Sequence, residues 1–460
     1  MSKTLFKFAM VSTMLVMLLV AVLMDFGSYA EVPNDGVLEY RISDDGSYYI
    51  IDGVVSNKLV EVNIPSTYNN IPVKEIGKSA FKDCNNLVSV NIPTSIVKIG
   101  ETAFKNCGAL SNIELPNSIS NIGNSAFHSC SSLTAITIPD SIRTIEESTF
   151  NYCANLSSIL IPDGVEIIGS FAFNDCYKLE SVSIPASVTD IGYCAFGNCE
   201  NLKSVHITDV VSWCNISFGI IKSNPLEYAD NLYINGEFVK NLIIPEGVTN
   251  IAAHAFTGYS SLASITIPSS VKSIGYEAFK DCVSIKDVYI EDLSAWINIS
   301  FDRYNATPLT YASNLYLNGE LVENVEIPKG VTNIGAYAFY GYKTLSSVTF
   351  HEEVASIGNC AFTHCVKLAD ITIPRSVTNI GEYAFYDCTG LKELTIACGV
   401  KKINPYAFDK CSFLKSINFR GTVEQWNLID KDTKWDGVSS AFMIKCIDGT
   451  ISKNGVITYN

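Results

Sequence analysis

One pattern governs this chain: I-G-x-x-A-F-x-x-C-x-x-L-x-x-V-x-I-P-x-x-V-x-x, returning every 23 residues. It first stands whole at Ile76-Gly77, with Ala80-Phe81, Cys84, Leu87, Val90 and Ile92-Pro93. It returns at Ile99, Ile122, Ile145, Ile168 and Ile191, resumes at Ile251 and Ile274, and again at Ile334, Ile357, Ile380 and Ile403. The Phe of the A-F pair is present in all twelve copies, from Phe81 to Phe408. A fixed period of this length means a stack of like units, none of which can bury its apolar face alone. The chain has 460 residues. That length would otherwise suggest two to four domains, and the repeat overrides that expectation.

Within one coil, Leu87, Val90 and Ile92 point inward from a short strand, and Ser89 and Asn91 alternate outward. Pro93 ends the strand because it cannot donate to a ladder. Ile96 and Ile99 begin a second apolar stretch, Gly100 allows a tight turn, and Ala103-Phe104 is expected to turn the chain back as a short helical turn. Stacking at about 4.8 Å per rung makes a parallel sheet and a body roughly 60–75 Å long.

Two gaps interrupt the period, and each spans 60 residues from Ile to Ile (Ile191 to Ile251, Ile274 to Ile334). The extra segments match at an offset of 83: Trp213 with Trp296, Pro225 with Pro308, Tyr228 with Tyr311, Asn235-Gly236 with Asn318-Gly319. A shortened third copy carries Trp426 and Asp448-Gly449. Asn-Gly and Asp-Gly between short apolar strands predict two-residue hairpins, since both turn residues need positive φ. Each insert is therefore read as a side hairpin anchored by its Trp. The open ends of a solenoid need caps. Asp44-Asp45-Gly46 between Leu38–Ile42 and Tyr48–Ile51 predicts a hairpin in the first. The resulting partition is a signal at 1–30, a cap at 31–75, repeats at 76–208, an insert at 209–250, repeats at 251–290, an insert at 291–333, repeats at 334–418 and a cap at 419–460.

The N-terminus carries an export pattern: Lys3 and Lys7, an uncharged apolar run from Phe8 to Met24, then Ser28-Tyr29-Ala30 before Glu31. Cleavage after Ala30 is expected, leaving no membrane span. The alternative is an uncleaved anchor, because the apolar run approaches the length of a span. No Cys follows that run and no apolar tail closes the sequence, which argues against a lipid anchor at either end. Net charge is −15. An acidic surface repels phosphate, so nucleic acid and anionic lipid are excluded as expected partners.

Ten of the 15 cysteines share one repeat position: Cys84, Cys107, Cys130, Cys153, Cys176, Cys199, Cys282, Cys365, Cys388 and Cys411. Export suggests disulfides. Yet stacked parallel side chains hold their Cβ atoms at about 4.8 Å, wider than a bridge wants. Tyr259 and Tyr342 replace the Cys in two coils. A column of buried free thiols is the expectation. His128, His206, His254, His351 and His364 each fall at a different phase, and there is no C-x-x-C, H-E-x-x-H, glycine phosphate loop or G-x-S-x-G elbow. No catalytic, cofactor-binding or metal-ligating residue is predicted, and the chain does not read as an enzyme. The outward residues of the strands, such as Ser181, Ser183, Thr372 and Thr395, form a small, polar ribbon. It lacks the aromatic and Arg anchors of a tight interface. His206 and Tyr289 are the two candidate ligand contacts on it.

The run I-G-x-x-A-F-x-x-C-x-x-L-x-x-V-x-I-P resembles the BspA-like leucine-rich-repeat family of bacterial and protozoan surface proteins. The resemblance covers residues 36 to 460, including ends at Gly46–Gly77 and Phe419–Gly449 that are similar to the family's own. The departures are Tyr259 and Tyr342 for Cys, Glu146 and Ala252 for Gly, and Asn404-Pro405 in the last coil. The resemblance implies a leucine-rich-repeat solenoid at the cell surface, adhering to a protein or glycan of host matrix or of other cells. It supplies no catalytic residues and no cofactor. A second reading stays open, in which the repeats only hold something else away from the cell.

Overall fold

The computed structural model describes residues 35–220, 222–432, 434–436 and 442–460. The expected export signal at 1–30 lies outside them. A typical coil contributes two short strands, and the coil of Ile136 and Ile138 has only an isolated bridge, Thr137 to Leu160, in place of the first. The V-x-I segment supplies the first: Ser158–Leu160, Ser181–Ile184 and Ser204–Ile207 pair in parallel, with Ser158 opposite Ser181 and Ser181 opposite Ser204. The second ends on the repeat's Ile: Thr144–Ile145, Ile167–Ile168 and Asp190–Ile191 pair in the same 23-residue register. A slip of one residue would turn every inward side chain out, so the apolar pattern holds this register.

The A-F arc differs from the expected helical turn. Ser79 and Asp83, Thr102 and Asn106, and Ser125 and Ser129 all adopt positive φ, between 54° and 63°. Two left-handed residues four apart prevent a helix from forming. They turn alternate peptide groups along the stack instead. The N–H groups of Ser79, Phe81 and Asp83 donate to the carbonyls of Glu101, Ala103 and Lys105 in the next coil, at 2.9, 2.8 and 2.8 Å. The arc is thus a third inter-coil ladder; short polar residues hold its left-handed sites in these coils at modest cost, and bulkier ones such as Phe171, Tyr337 and Tyr383 hold them in others. Gly100 is also needed for a different reason than a turn. A Cβ there would lie 2.7 Å from the backbone of Gly77 and Lys78, so the glycine column lets neighbouring coils approach.

The core is a set of columns. The twelve Phe are each at most 1 % exposed. Phe81, Phe104, Phe127, Phe150, Phe173 and Phe196 stack with centroids 5.0–5.6 Å apart. All 15 cysteines are free thiols. The ladder thiols are more than small hydrophobes: Cys107, Cys130 and Cys153 donate to the carbonyls of Phe81, Phe104 and Phe127 in the preceding coil, at 3.1–3.3 Å.

The inserts are coils of the stack rather than hairpins beside it. Asp209 caps a one-turn helix, Val210–Cys214, that buries Trp213. Ser217–Phe218 then pairs with Asp190–Ile191. Asn231–Ile234 pairs with Ser204–Ile207 and returns through Asn235-Gly236, both at positive φ, to Glu237–Phe238. That hairpin ends one sheet, and Asn241–Ile243 begins the next. The second insert repeats this at Leu293–Ile297, Asn314–Leu317 and Glu320–Leu321, and Asn324–Glu326 starts a further sheet. The stack therefore consists of blocks.

At the N-terminal end, Leu38–Ile42 and Tyr49–Val54 form the expected antiparallel hairpin, with Tyr40 stacked 3.9 Å from Tyr68. At the C-terminal end, Thr422 and Gln425 form a capping box for the helix Val423–Asn427, which buries Trp426. The two-residue turn expected at Asp448-Gly449 is absent. Lys445 faces Thr450, which leaves four residues in the loop, and Gly449 is itself in a strand. Neither Asp448 nor Gly449 has the positive φ that the tighter turn requires. Among the described residues, no helix is long and apolar enough to cross a membrane.

Candidate ligand-binding face

The outward residues of the V-x-I strands line up across each sheet. Ser183, His206 and Tyr233 are consecutive partners, the last supplied by the insert's hairpin. The ring of His206 lies on that of Tyr233, centroids 4.7 Å apart and nearly parallel. Tyr233 meets Phe238 across the turn at 5.7 Å, and Phe238 is 46 % exposed. Ser204 Oγ lies 3.1 Å from His206 Nε2. The same step recurs 83 residues on. Tyr289 stacks on Tyr316 at 4.9 Å, and Tyr316 faces Leu321, which is 43 % exposed. Burial, with Asp287 and Tyr316 adding, raises the Tyr289 hydroxyl above its usual range, so it stays a hydrogen-bond donor. At the third copy, Asn418 faces Lys445 and no aromatic step forms.

His206 and Tyr289 are thus both on the face where the pattern puts them, each in a pair the sequence reading lacked. Tyr233 and Tyr316 were missed because the inserts were read as lying outside the sheet. The signal was present: Leu232-Tyr233-Ile234 repeats the alternation of Val205-His206-Ile207. A second aromatic set was missed on the turn ridge. There Tyr383 stacks on Tyr406 at 4.7 Å, Tyr340 meets Tyr304 at 5.5 Å, and Lys410 Nζ lies 4.9 Å over Tyr386. The Y-A-F-Y runs at 337–340 and 383–386 were its signal. Tyr383, Tyr406 and Lys410 sit at left-handed positions of the arc, a geometry that a helical reading hides.

Among the described residues, no group of three or more His, Cys, Asp or Glu is placed to hold a metal ion. Burial pushes the thiols of Cys107, Cys153 and Cys199 up to about 12, which removes the thiolate needed for ligation or attack.

Parallel strands, a turn arc and stacked Phe columns in 23-residue coils define a leucine-rich-repeat solenoid. A family model described as "BspA type Leucine rich repeat region" matches in six copies over residues 74–203, 227–318 and 310–428, and the chain belongs to that family. A leucine-rich repeat protein from Bacteroides ovatus shares 25 % identity over 91 % of this chain and 100 % of its own, with a TM-score of 0.54. A T. pallidum leucine-rich repeat protein is 32 % identical over 41 % of this chain and 86 % of its own, with a TM-score of 0.37. A leucine-rich cell surface protein from Faecalibacterium prausnitzii is 26 % identical over 88 % and 99 %, with a TM-score of 0.38. No curated protein matches the chain.

Proposed function

We propose that this protein is exported through its first 30 residues, is displayed at the cell surface, and binds a protein or glycan through the outer face of its sheets, without turnover. The observation that carries the reading is the aromatic step that each insert builds. His206 with Tyr233, and Tyr289 with Tyr316, are the stacked, partly exposed rings on a ribbon otherwise made mostly of Ser, Thr and Asn with scattered Asp and Glu and the exposed aliphatics Leu160 and Ile243. Stacked neighbours fix both rings, so contact costs little side-chain entropy. The family supports a surface role, and one similar structure is itself named a cell surface protein.

The polar remainder of the ribbon favours the second reading, a spacer with no ligand. A pull-down with residues 31–460 against matrix proteins and envelope glycans separates the two. Adhesion predicts a captured ligand that is lost in the Tyr233→Ala/Tyr316→Ala variant. Capture unaffected by the double substitution would remove the sheet face from the reading, and no capture at all favours the spacer. N-terminal sequencing of the exported chain tests cleavage after Ala30.

A further inference from the structure

A cleft of about 570 Å³ opens where the first insert meets the next block. Its size falls within the range of small-molecule sites. Glu227 and Asp230 enter from the insert, and His254, Glu277, Lys280 and Asp281 from the two coils that follow. Four acidic side chains therefore share the cleft with the ammonium group of Lys280, while the charge of Lys222 also reaches Glu227 and Arg303 stands over Tyr276. Glu277 is held in place: Lys280 Nζ is 3.0 Å from its Oε2, and Asn305 Nδ2 donates to its Oε1 at 3.2 Å. Asp230 accepts from Ser260 Oγ at 2.6 Å.

A further observation points to a ligand. His254 is 95 % buried, at 5 % exposure, and lines the cleft, yet its ring has no hydrogen-bond partner among the described residues. The nearest carboxylate oxygen, Glu277 Oε2, stands 3.7 Å away, beyond hydrogen-bond reach. The ring of Tyr276, on the cleft wall, is met by the chain's own cation: the guanidinium of Arg303 sits 5.4 Å from its centroid.

The chain also contains its own control. Eighty-three residues on, the second junction has the same architecture with Thr310, Ser313, Tyr337, Cys360, Thr363 and His364 in place of Glu227, Asp230, His254, Glu277, Lys280 and Asp281. The fold is built there without the carboxylates. Their cost in mutual repulsion at the first junction is therefore not required by the architecture. We propose that the first junction is a binding site for a small organic cation bearing a primary ammonium group, seated among Glu227, Asp230 and Glu277.

The test is calorimetric titration of the full chain at low salt with cadaverine and glucosamine, with pentanol and glucose as neutral counterparts and calcium chloride as an inorganic cation. The amines should bind saturably and their neutral counterparts should not; which amine binds more tightly tells a diamine from an amino sugar. The variant E227T/D230S installs what the second junction already tolerates, so it should fold, and its affinity should fall at least tenfold. Equal affinity in that variant would overturn the proposal. So would calcium binding without amine binding, or no saturable amine binding at all.

Discussion

A phenylalanine in the middle of the stack touches its own copies above and below. Phe173 lies 5.5 Å from Phe150 and 5.3 Å from Phe196. Phe173→Ala should leave a cavity in that column and cost about 3–5 kcal/mol. Ser183→Ala, on the outer face, removes no buried contact and should cost less than about 0.5 kcal/mol. Urea midpoints of the two variants measure the difference, and equal losses would mean a different core. Glu227 carries a second residue-scale prediction. Burial, with Glu277 adding, lifts its carboxyl from 4.5 to about 7, against the charges of Lys280 and Lys222 and the backbone N–H of Lys222. The folded value lies above the unfolded one, so the folded state holds the extra proton between them. The group's contribution to stability is full below 4.5 and is lost as pH rises through 7. Glu227→Gln should flatten the decline of stability across that window. An unchanged pH profile would mean that this carboxyl is not desolvated.

The strand-and-column logic of one coil was legible in its 23 letters, because inward and outward positions follow from period two and from the need to share a core. The arc was not. Left-handed backbone at Ser79 and Asp83 has no hydrophobic signature, and A-F flanked by polar residues suits a helical turn equally well. The inserts were half legible. Asn235-Gly236 fixed the hairpin, but that Tyr233 sits on the rung beyond His206 is legible only when Leu232-Tyr233-Ile234 is set against Val205-His206-Ile207. The replacement of Cys by Tyr at 259 and 342 becomes intelligible only in the structure. Each follows an insert, where no Phe carbonyl of a 23-residue neighbour is in reach, and the longer side chain donates its hydroxyl to Val239 or Val322 beneath the hairpin. Tyr259→Phe should therefore leave the column packed and deprive the part-buried Val239 carbonyl and the Leu232 N–H of the hydroxyl, at about 0.5–1.5 kcal/mol. Hydrogen exchange should quicken at residues 231–243 and hardly at all near Phe104. Uniform quickening would show that the hydroxyl does not hold the hairpin.

At the scale of the whole molecule, the decisive feature is that the sheets do not run through. They are interrupted once within the first run of coils, between Asn112–Ile113 and Ser158–Leu160, and they stop at the hairpins ending in Phe238 and Leu321 and restart at Asn241 and Asn324. Across the break at the first insert, side chains replace the ladder: the indole N–H of Trp213 donates to Ala255 O at 2.8 Å, and Asn224 Nδ2 reaches the carbonyls of His254 and Ala255 at 2.7 and 2.9 Å. One backbone bond, from Ala252 N to Cys214 O, joins them. Trp296 repeats the bond to Ala338 O at 2.9 Å. In a solenoid, stability is a sum of coil terms and nearest-neighbour interfaces, so a weaker interface marks where cooperativity divides. Trp213→Phe keeps an aromatic ring in place while deleting the N–H and part of the packing. It should lower the coupling between the coils before residue 214 and those after 251 more than it lowers the stability of either block. Native-state hydrogen exchange would then show the two sides opening at different denaturant concentrations in the variant, where the parent opens them closer together. If both sides still open in one step, the interfaces on either side of the insert are as strong as those within a block, and the inserts serve only to carry their aromatic steps.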